Sequence, residues 1–374
     1  MLNEAFGLIY TGENNPKLKE LTLTRSVAAV PFGGRYRCID FILSSLVNSG
    51  VQNVGLITQK NYHSLMDHLG SGKEWDLHRK HGGLFMLPPF LTKDNTGLYR
   101  GSVDALRSVL GFVRRCSERY VILSGSHTIF NTTFYEMLEY HKSTGADITM
   151  MYNDCDPTDP EDQNNDLRLC VDENGRINDI ELDPYRPRTR FASCDVYIME
   201  KTLLEYLVEE AYSRGEYDFI RDVILKKCRS LRMMGWRYDG YIARLDSLGV
   251  YYKRNMDLLD KDVARELFTS SHPVYTKVKD EVPAKFGAEA NVSNCLAADG
   301  CVIDGAVSNS VLFRGVHINK GAKVTDSVIL QAATIGEGAV LKHVVLDKGV
   351  IIRPNRVLMG DVGYPVLIRK NQVV

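Results

Sequence analysis

The sequence is short of several things, and each absence closes off a class of function. It lacks a charge excess: 46 Lys and Arg face 47 Asp and Glu, for a formal net charge of -1. A protein that holds nucleic acid through its phosphates normally carries a basic surplus, so no nucleic-acid partner is expected. It lacks any apolar run of bilayer-spanning length, so no membrane partner is expected either. The opening Met1-Leu2-Asn3-Glu4-Ala5-Phe6-Gly7 has no basic stretch and an early acid, unlike a secretory signal, and a cytoplasmic location is expected. None of the eight cysteines, at 38, 116, 155, 170, 194, 228, 295 and 301, forms a CxxC or a zinc spacing. They are expected to be reduced and mostly buried. What is present is ordinary: 374 residues, 44% hydrophobic and 25% charged, fit a soluble protein of two or three domains.

The first two-thirds alternate short apolar runs with helical patterns. Ala5–Tyr10, Asn53–Thr58, Tyr120–Ser124 and Asp147–Tyr152 read as strands. Phe41–Val47, Asp104–Cys116 and Phe134–Lys142 read as helices. That alternation specifies βαβ units and a mostly parallel sheet, a Rossmann-like α/β domain over 1–268. Ligands of such sheets bind beyond the carboxyl ends of the strands, here the loops after Tyr10, Thr58 and Ser124. Residues 269–284, with Pro273 and Pro283, read as a linker.

The last quarter keeps a different beat. Every sixth residue from Val316, through Ala322, Val328, Thr334, Val340, Leu346, Ile352 and Leu358, is small or apolar. An earlier register, Cys295, Cys301, Val307 and Phe313, runs at the same period. A period of six specifies a parallel β-helix over 285–374, of left-handed hexapeptide-repeat type, with Val316, Ala322, Val328, Val340, Leu346 and Ile352 pointing inward. Hexads alone would also suit a β-helix acyltransferase, with His317 or His343 as base, but neither histidine has a partner motif.

Five segments in order carry a more specific signal: Val30–Phe41 (VPFGGRYRCIDF), Asn48–Val51, Ile57–Gln59, Tyr99–Ala105 (YRGSVDA) and Asn255–Leu258. Together they resemble the sugar-phosphate nucleotidylyltransferases, and within them glucose-1-phosphate adenylyltransferase. The resemblance spans nearly the whole chain. It implies a nucleotidyltransferase domain followed by the β-helix, a tetramer, and the reaction of ATP with glucose 1-phosphate to give ADP-glucose and pyrophosphate in glycogen biosynthesis. Such chemistry needs Mg²⁺ on hard oxygen ligands, cations to neutralise two anions, and a glycine loop along the triphosphate.

At the reacting centre the sequence departs from that pattern. The family loop GGxGTRLxxLT aligns with Gly12–Thr22, where one glycine survives, Glu13 adds negative charge, Pro16 removes a donor, and Lys17 replaces the arginine. The lysine of RAKPAV falls on Val27. The metal-binding Asp of the G-D-H motif falls on Ser126 in Gly125-Ser126-His127. The second metal Asp, in GYWRDVGT, falls on Arg244, with Asp246 two residues on. The lysine of EKP falls on Asp183. Nucleotide-pocket candidates remain in Gly12, Gln59, Tyr99, Arg100, Gly101, Asp104 and Gly125; for Asp104 a helix-start carboxylate is an equal reading.

The pattern resembles the GlgD-type regulatory branch of the family. The resemblance implies a catalytically deficient subunit with no tightly bound cofactor. Its partner would be a GlgC-type catalytic subunit, which itself requires Mg²⁺, in a hetero-oligomer, expected to be a tetramer. A homo-oligomer of the chain alone stays open. The alternative is an active sugar-phosphate nucleotidylyltransferase that uses Asp246 as metal ligand and Lys17 as phosphate cation. Two basic clusters offer themselves to a phosphorylated effector, or as plain solvated faces: Arg186, Arg188 and Arg190, and Lys348, Arg353 and Arg356.

Overall fold

A computed structural model describes residues 2–12, 16–89, 98–155 and 167–374. The chain packs as two compact units. The first comprises Met1–Glu13 and Ile42–Gly240, the second Asn14–Phe41 and Tyr241–Val374. No described helix is long and apolar enough to cross a membrane. All eight cysteines are free thiols, and only Cys170 and Cys295 are not buried.

The first unit is built on one sheet. Its strands are β1 (Ala5–Tyr10), β2 (Asn53–Ile57), β3 (Gly83–Leu87), β4 (Tyr120–Ser124), β5 (Ile148–Asp154), β6 (Leu167–Val171), β7 (Ile177–Leu182), β8 (Phe191–Glu200) and β9 (Met233–Arg237). The order is β7-β6-β8-β4-β1-β2-β3, with β5 pairing both β8 and β9. β1 runs parallel to β2 and β4, β2 to β3, and β5 to β9. The long β8 is antiparallel to β4 and β5. Both faces of the central strands are covered, which is why they read as continuous apolar runs rather than alternating ones. Phe6, Leu8, Leu123, Met150, Tyr197 and Met199 form the core on one face, against Leu204 and Leu207 of the helix Lys201–Ser213. The expected helix from Asp104 is two pieces, Ser102–Ser108 and Leu110–Arg115, broken at Val109.

The second unit holds the repeat. Its strands stack in parallel along three sides, as a hexapeptide β-helix requires. One side runs Lys285–Phe286, Val302–Ile303, His317–Ile318, Thr334–Ile335 and Ile351–Ile352. The rungs are not set by an unbroken period of six, however. Val307, Val324, Leu341 and Leu358 face one another, each 17 residues from the last. Leu312, Ile329 and Leu346 keep the same step. These rungs space a coil at three hexads less one residue, so the hexad phase slips there, and other coils differ: Val302 faces His317 after 15 residues and Val344 faces Val366 after 22. The slip corrects the inward assignment: Val316, Ala322, Leu346 and Ile352 lie in the apolar core of the repeat, whereas Val328 is buried on the opposite side of its strand from the core residue Ile329, and Val340 is only half-buried. The filling residues follow the 17-step rows, Ile318, Ile335 and Ile352 among them.

The second unit also contains a buried ion pair. Arg25 donates two hydrogen bonds from Nη2 to Asp347, at 2.8 Å to each carboxylate oxygen. Both side chains are under a tenth exposed. Asp347 also accepts from the Lys348 N–H at 2.7 Å.

Candidate functional site

In the first unit the chain leaves β1 for β2 and β3 on one side, then returns to place β4 on the other. The crevice beyond the carboxyl ends of β1 and β4 is therefore the topological switch point, where open α/β sheets bind ligands. Tyr10, Thr11 and Gly12 leave β1 there, and Gly125, Ser126 and His127 leave β4.

The loop after β1 is pinned at its start. Thr11 donates from its N–H and its hydroxyl to the Ile57 carbonyl, both at 2.9 Å. Gly12 lies under the end of the Tyr10 side chain, which would have to swing aside for any side chain at 12. A Cβ there would lie 2.6 Å from the Tyr10 hydroxyl and 2.7 Å from the ring carbon that bears it. The phenol of Tyr10 thus lies over Gly12. Glu13 falls outside the described residues, as do Asn14, Asn15 and the Pro16 side chain.

Across the crevice, Ser126 is wholly buried. A neutral hydroxyl offers none of the charge that makes a carboxylate a ligand for Mg²⁺. His127 keeps Nδ1 4.0 Å from a carboxylate oxygen of Asp195 on β8. Asp195 adopts φ 57° within a strand, the left-handed region that side-chain-bearing residues rarely enter. Its carbonyl accepts from Gly125 N–H at 3.1 Å, and its own N–H donates to the Ser193 hydroxyl at 3.1 Å. Burial, reinforced by the Asp195 charge, pushes the Tyr197 phenol well above its ordinary range. Among the described residues, no three His, Cys, Asp or Glu side chains gather as a metal site.

The Tyr99–Ala105 motif is braced from several directions. Gln59 donates to the Tyr99 carbonyl at 3.1 Å, and Ser108 donates to the buried Tyr99 hydroxyl at 2.9 Å. Burial raises the Tyr99 pKa, with Asp104 adding to it. The Arg100 guanidinium lies 4.0 Å from the Tyr217 ring centre and donates to the Tyr217 hydroxyl at 2.5 Å. It also pairs with Asp104 at 3.3 Å. Gly101 is held by contact: a Cβ would fall 2.2 Å from the Tyr217 carbonyl oxygen. Arg100, Gly101 and Asp104 therefore lock the start of helix Ser102–Ser108 to the segment around Tyr217. Asp183 is exposed beyond β7, at φ 50°.

Lys17, Val27, Arg244 and Asp246 belong to the second unit. Lys17 is exposed, whereas Val27 is buried in the apolar turn Val27–Ala29. Arg244 is buried and Asp246 half-buried ahead of the helix Leu248–Met256, whose cap Ser247 accepts from Val250 N–H. Two of the diagnostic motifs meet here. The Asn255 side-chain oxygen accepts from Gly33 N–H at 3.1 Å, in a turn where Gly33 and Gly34 have φ 59° and 81°. Tyr251 of the same helix donates to the Pro31 carbonyl at 2.8 Å.

Of the arginines after β7, Arg188 pairs with Asp179 and Glu181, and Arg190 lies 2.8 Å from Asp154. Arg186 is exposed. Lys348 is exposed, though partial desolvation lowers its pKa, helped by Lys279, Lys370, Arg37 and Arg25; Arg353 and Arg356 are exposed too. His317 is exposed, while His343 Nδ1 is 3.1 Å from the Tyr252 hydroxyl and its Nε2 3.9 Å from Asp326.

Sequence reasoning missed Tyr10, His127 and Asp195. Only a carboxylate inside an otherwise apolar strand run hinted at the last.

Residues 7–237 match the model of the nucleotidyl transferase family. The chain belongs to that family. Residues 282–362 match the GlmU-like C-terminal hexapeptide model. The chain is 36% identical over 374 residues to "Glycogen biosynthesis protein GlgD" of Bacillus subtilis (strain 168), covering 99% of this chain and 97% of the relative. It is 39% identical over 373 residues to the protein of the same name from Geobacillus stearothermophilus, covering 100% and 98%. It is 33% identical over 363 residues to "Glucose-1-phosphate adenylyltransferase" of Acetivibrio thermocellus, covering 96% and 84%. As a nucleotidyl transferase relative it keeps the sheet, the switch-point crevice and the hexapeptide domain, with a neutral, buried Ser126 at the end of β4.

Proposed function

We propose that this chain is a regulatory, catalytically deficient subunit of glucose-1-phosphate adenylyltransferase in glycogen biosynthesis. It assembles in the cytoplasm with a GlgC-type catalytic subunit, as a hetero-tetramer, and that partner carries the Mg²⁺-dependent chemistry. The names of its full-length relatives support the pathway. The single observation that carries the deficiency is Ser126. It is a buried hydroxyl at the carboxyl end of β4, the position that the family motif gives to a metal-binding Asp. Without that charge the transition state loses several kcal/mol of stabilisation, about what metal-ion catalysis supplies.

Regulation then works through the partner. The chain must bind one state of the catalytic subunit more tightly than another, and the coupling is the difference between the two affinities. Mixing tests this directly. A catalytic subunit titrated with this chain should show a new complex by light scattering and a changed rate or effector response of ADP-glucose synthesis. No complex and an unchanged rate at saturating chain would refute the proposal.

A further inference from the structure

The final coil of the repeat is longer than the coil beneath it at one corner. Val340 faces Val357 after 17 residues, whereas Val344 faces Val366 after 22. The five extra residues fall between Met359 and Val366 and form a small loop. That loop is built rather than slack. Asp361 and Tyr364 exchange backbone hydrogen bonds at 3.2 and 3.1 Å, and Gly363 N–H donates to the Asp361 carboxylate at 3.2 Å. Its foot is pinned to the coil beneath: Gly360 N–H donates to the Lys342 carbonyl at 2.9 Å, and Val366 N–H to the His343 carbonyl at 3.0 Å. Yet the loop presents apolar tips to water. Val362 is 69% exposed and Tyr364 83%. Val357 and Met359, on the strand that leads into it, are exposed as well. Contiguous exposed apolar side chains mark interaction sites, and a tyrosine on a fixed backbone gives a large contact area at little cost in entropy.

The rest of the coil says what such a site would accept. The strands Val357–Met359 and Val366–Ile368 stand at the two ends of their sheet, so among the described residues each is hydrogen-bonded along one edge only. Open edges invite further contact, and charge on their rim decides what can approach. The other two corners carry Arg353 with Arg356, and Arg369 with Lys370, all exposed. Asp361 is the only acidic side chain in 351–374. Symmetric pairing of two copies through this face would set it against itself, basic rim against basic rim. A different chain that brings carboxylates to those corners meets no such repulsion.

We infer that the final coil is the docking face for the partner subunit. Val362 and Tyr364 enter an apolar recess on the partner, and Arg353, Arg356, Arg369 and Lys370 meet carboxylates around that recess. The inference rests on the regulatory reading and adds to it a surface, together with a preference for a different chain over a second copy.

The test is titration of the full chain into a purified GlgC-type catalytic subunit, followed by calorimetry and light scattering. The variants are Val362→Ser/Tyr364→Ala, Arg353→Glu/Arg356→Glu and, as a control at an exposed site of the first unit, Tyr185→Ala. All these side chains are exposed, so the fold should survive, and circular dichroism and melting establish that it does. Loss of the apolar tips should weaken the complex at least about tenfold, as removal of interface anchors does. Charge reversal should weaken it too, and should flatten its salt dependence between about 0.05 M and about 0.5 M. Tyr185→Ala should bind as wild type. A wild-type complex that both folded double variants leave intact would overturn the inference. So would self-association of the chain alone that Val362→Ser/Tyr364→Ala abolishes, because the occupant would then be a second copy. Absence of any wild-type complex would refute the regulatory reading itself, and this inference with it.

Discussion

Removing Asp347 should destabilise the second unit more than any surface change. Its carboxylate accepts two hydrogen bonds from Arg25 and one from the Lys348 N–H, at 2.7–2.8 Å, with both charged side chains under a tenth exposed. Asp347→Ala strands the guanidinium in a low-dielectric site. Breaking a buried pair from one side costs about 3–5 kcal/mol. Replacing both partners, as Arg25→Met with Asp347→Leu, leaves no orphaned charge and should recover most of that loss. The two single variants should therefore be strongly non-additive, with a coupling energy of about 2 kcal/mol or more. Equilibrium urea unfolding followed by far-UV circular dichroism measures this. The two units can unfold separately, so the transition to follow is the one that moves in Arg25→Met. Single and double variants equal in stability, or an Asp347→Ala loss below about 1 kcal/mol, would refute the buried-pair argument.

Three further outcomes follow. Val328→Asp buries an unpaired carboxylate in a wholly buried position and should cost several kcal/mol, whereas Val357→Asp, on an exposed position, should change urea stability by less than about 0.5 kcal/mol. Gly101→Ala would put a methyl group 2.2 Å from the Tyr217 carbonyl oxygen, so melting should show a loss larger than the few tenths typical of exposed sites. His141 is buried against Thr149 at 2.8 Å, and burial lowers its pKa from 6.5 to about 4. The folded state thus holds the neutral ring, and its contribution to stability is present above about pH 6.5 and lost as pH falls towards 4. His141→Gln should flatten that part of the stability profile measured by melting across pH.

The sheet was readable because buried parallel strands must be apolar and their helices periodic; Ala5–Tyr10 and Tyr120–Ser124 lie where their composition puts them. β8 is not legible as a strand in the sequence, because it carries Ser193 and Asp195 inside an irregular pairing rather than a clean run. The β-helix was readable from its period, but the spacing between rungs was not. An uneven coil length changes which positions face inward without changing composition, and rung pairings such as Val324 with Leu341 are what reveal the 17-residue step. At the site, motif comparison located Ser126 and Gly12. It could not reveal that Tyr10 bends back over Gly12, since side-chain direction at a strand end depends on the backbone that follows. Nor could it show that Asn255 grips Gly33, a contact across 222 positions of sequence.

The most direct test of the account is the rate of ADP-glucose formation by the purified chain alone, with saturating ATP, glucose 1-phosphate and Mg²⁺. A buried Ser126 in place of a metal carboxylate predicts negligible turnover, unchanged by Asp246→Asn. A rate within about tenfold of an ordinary family member, a barrier difference of only about 1.4 kcal/mol, would contradict it; loss of that rate in Asp246→Asn would identify the chain as an active nucleotidylyltransferase with Asp246 as its metal ligand.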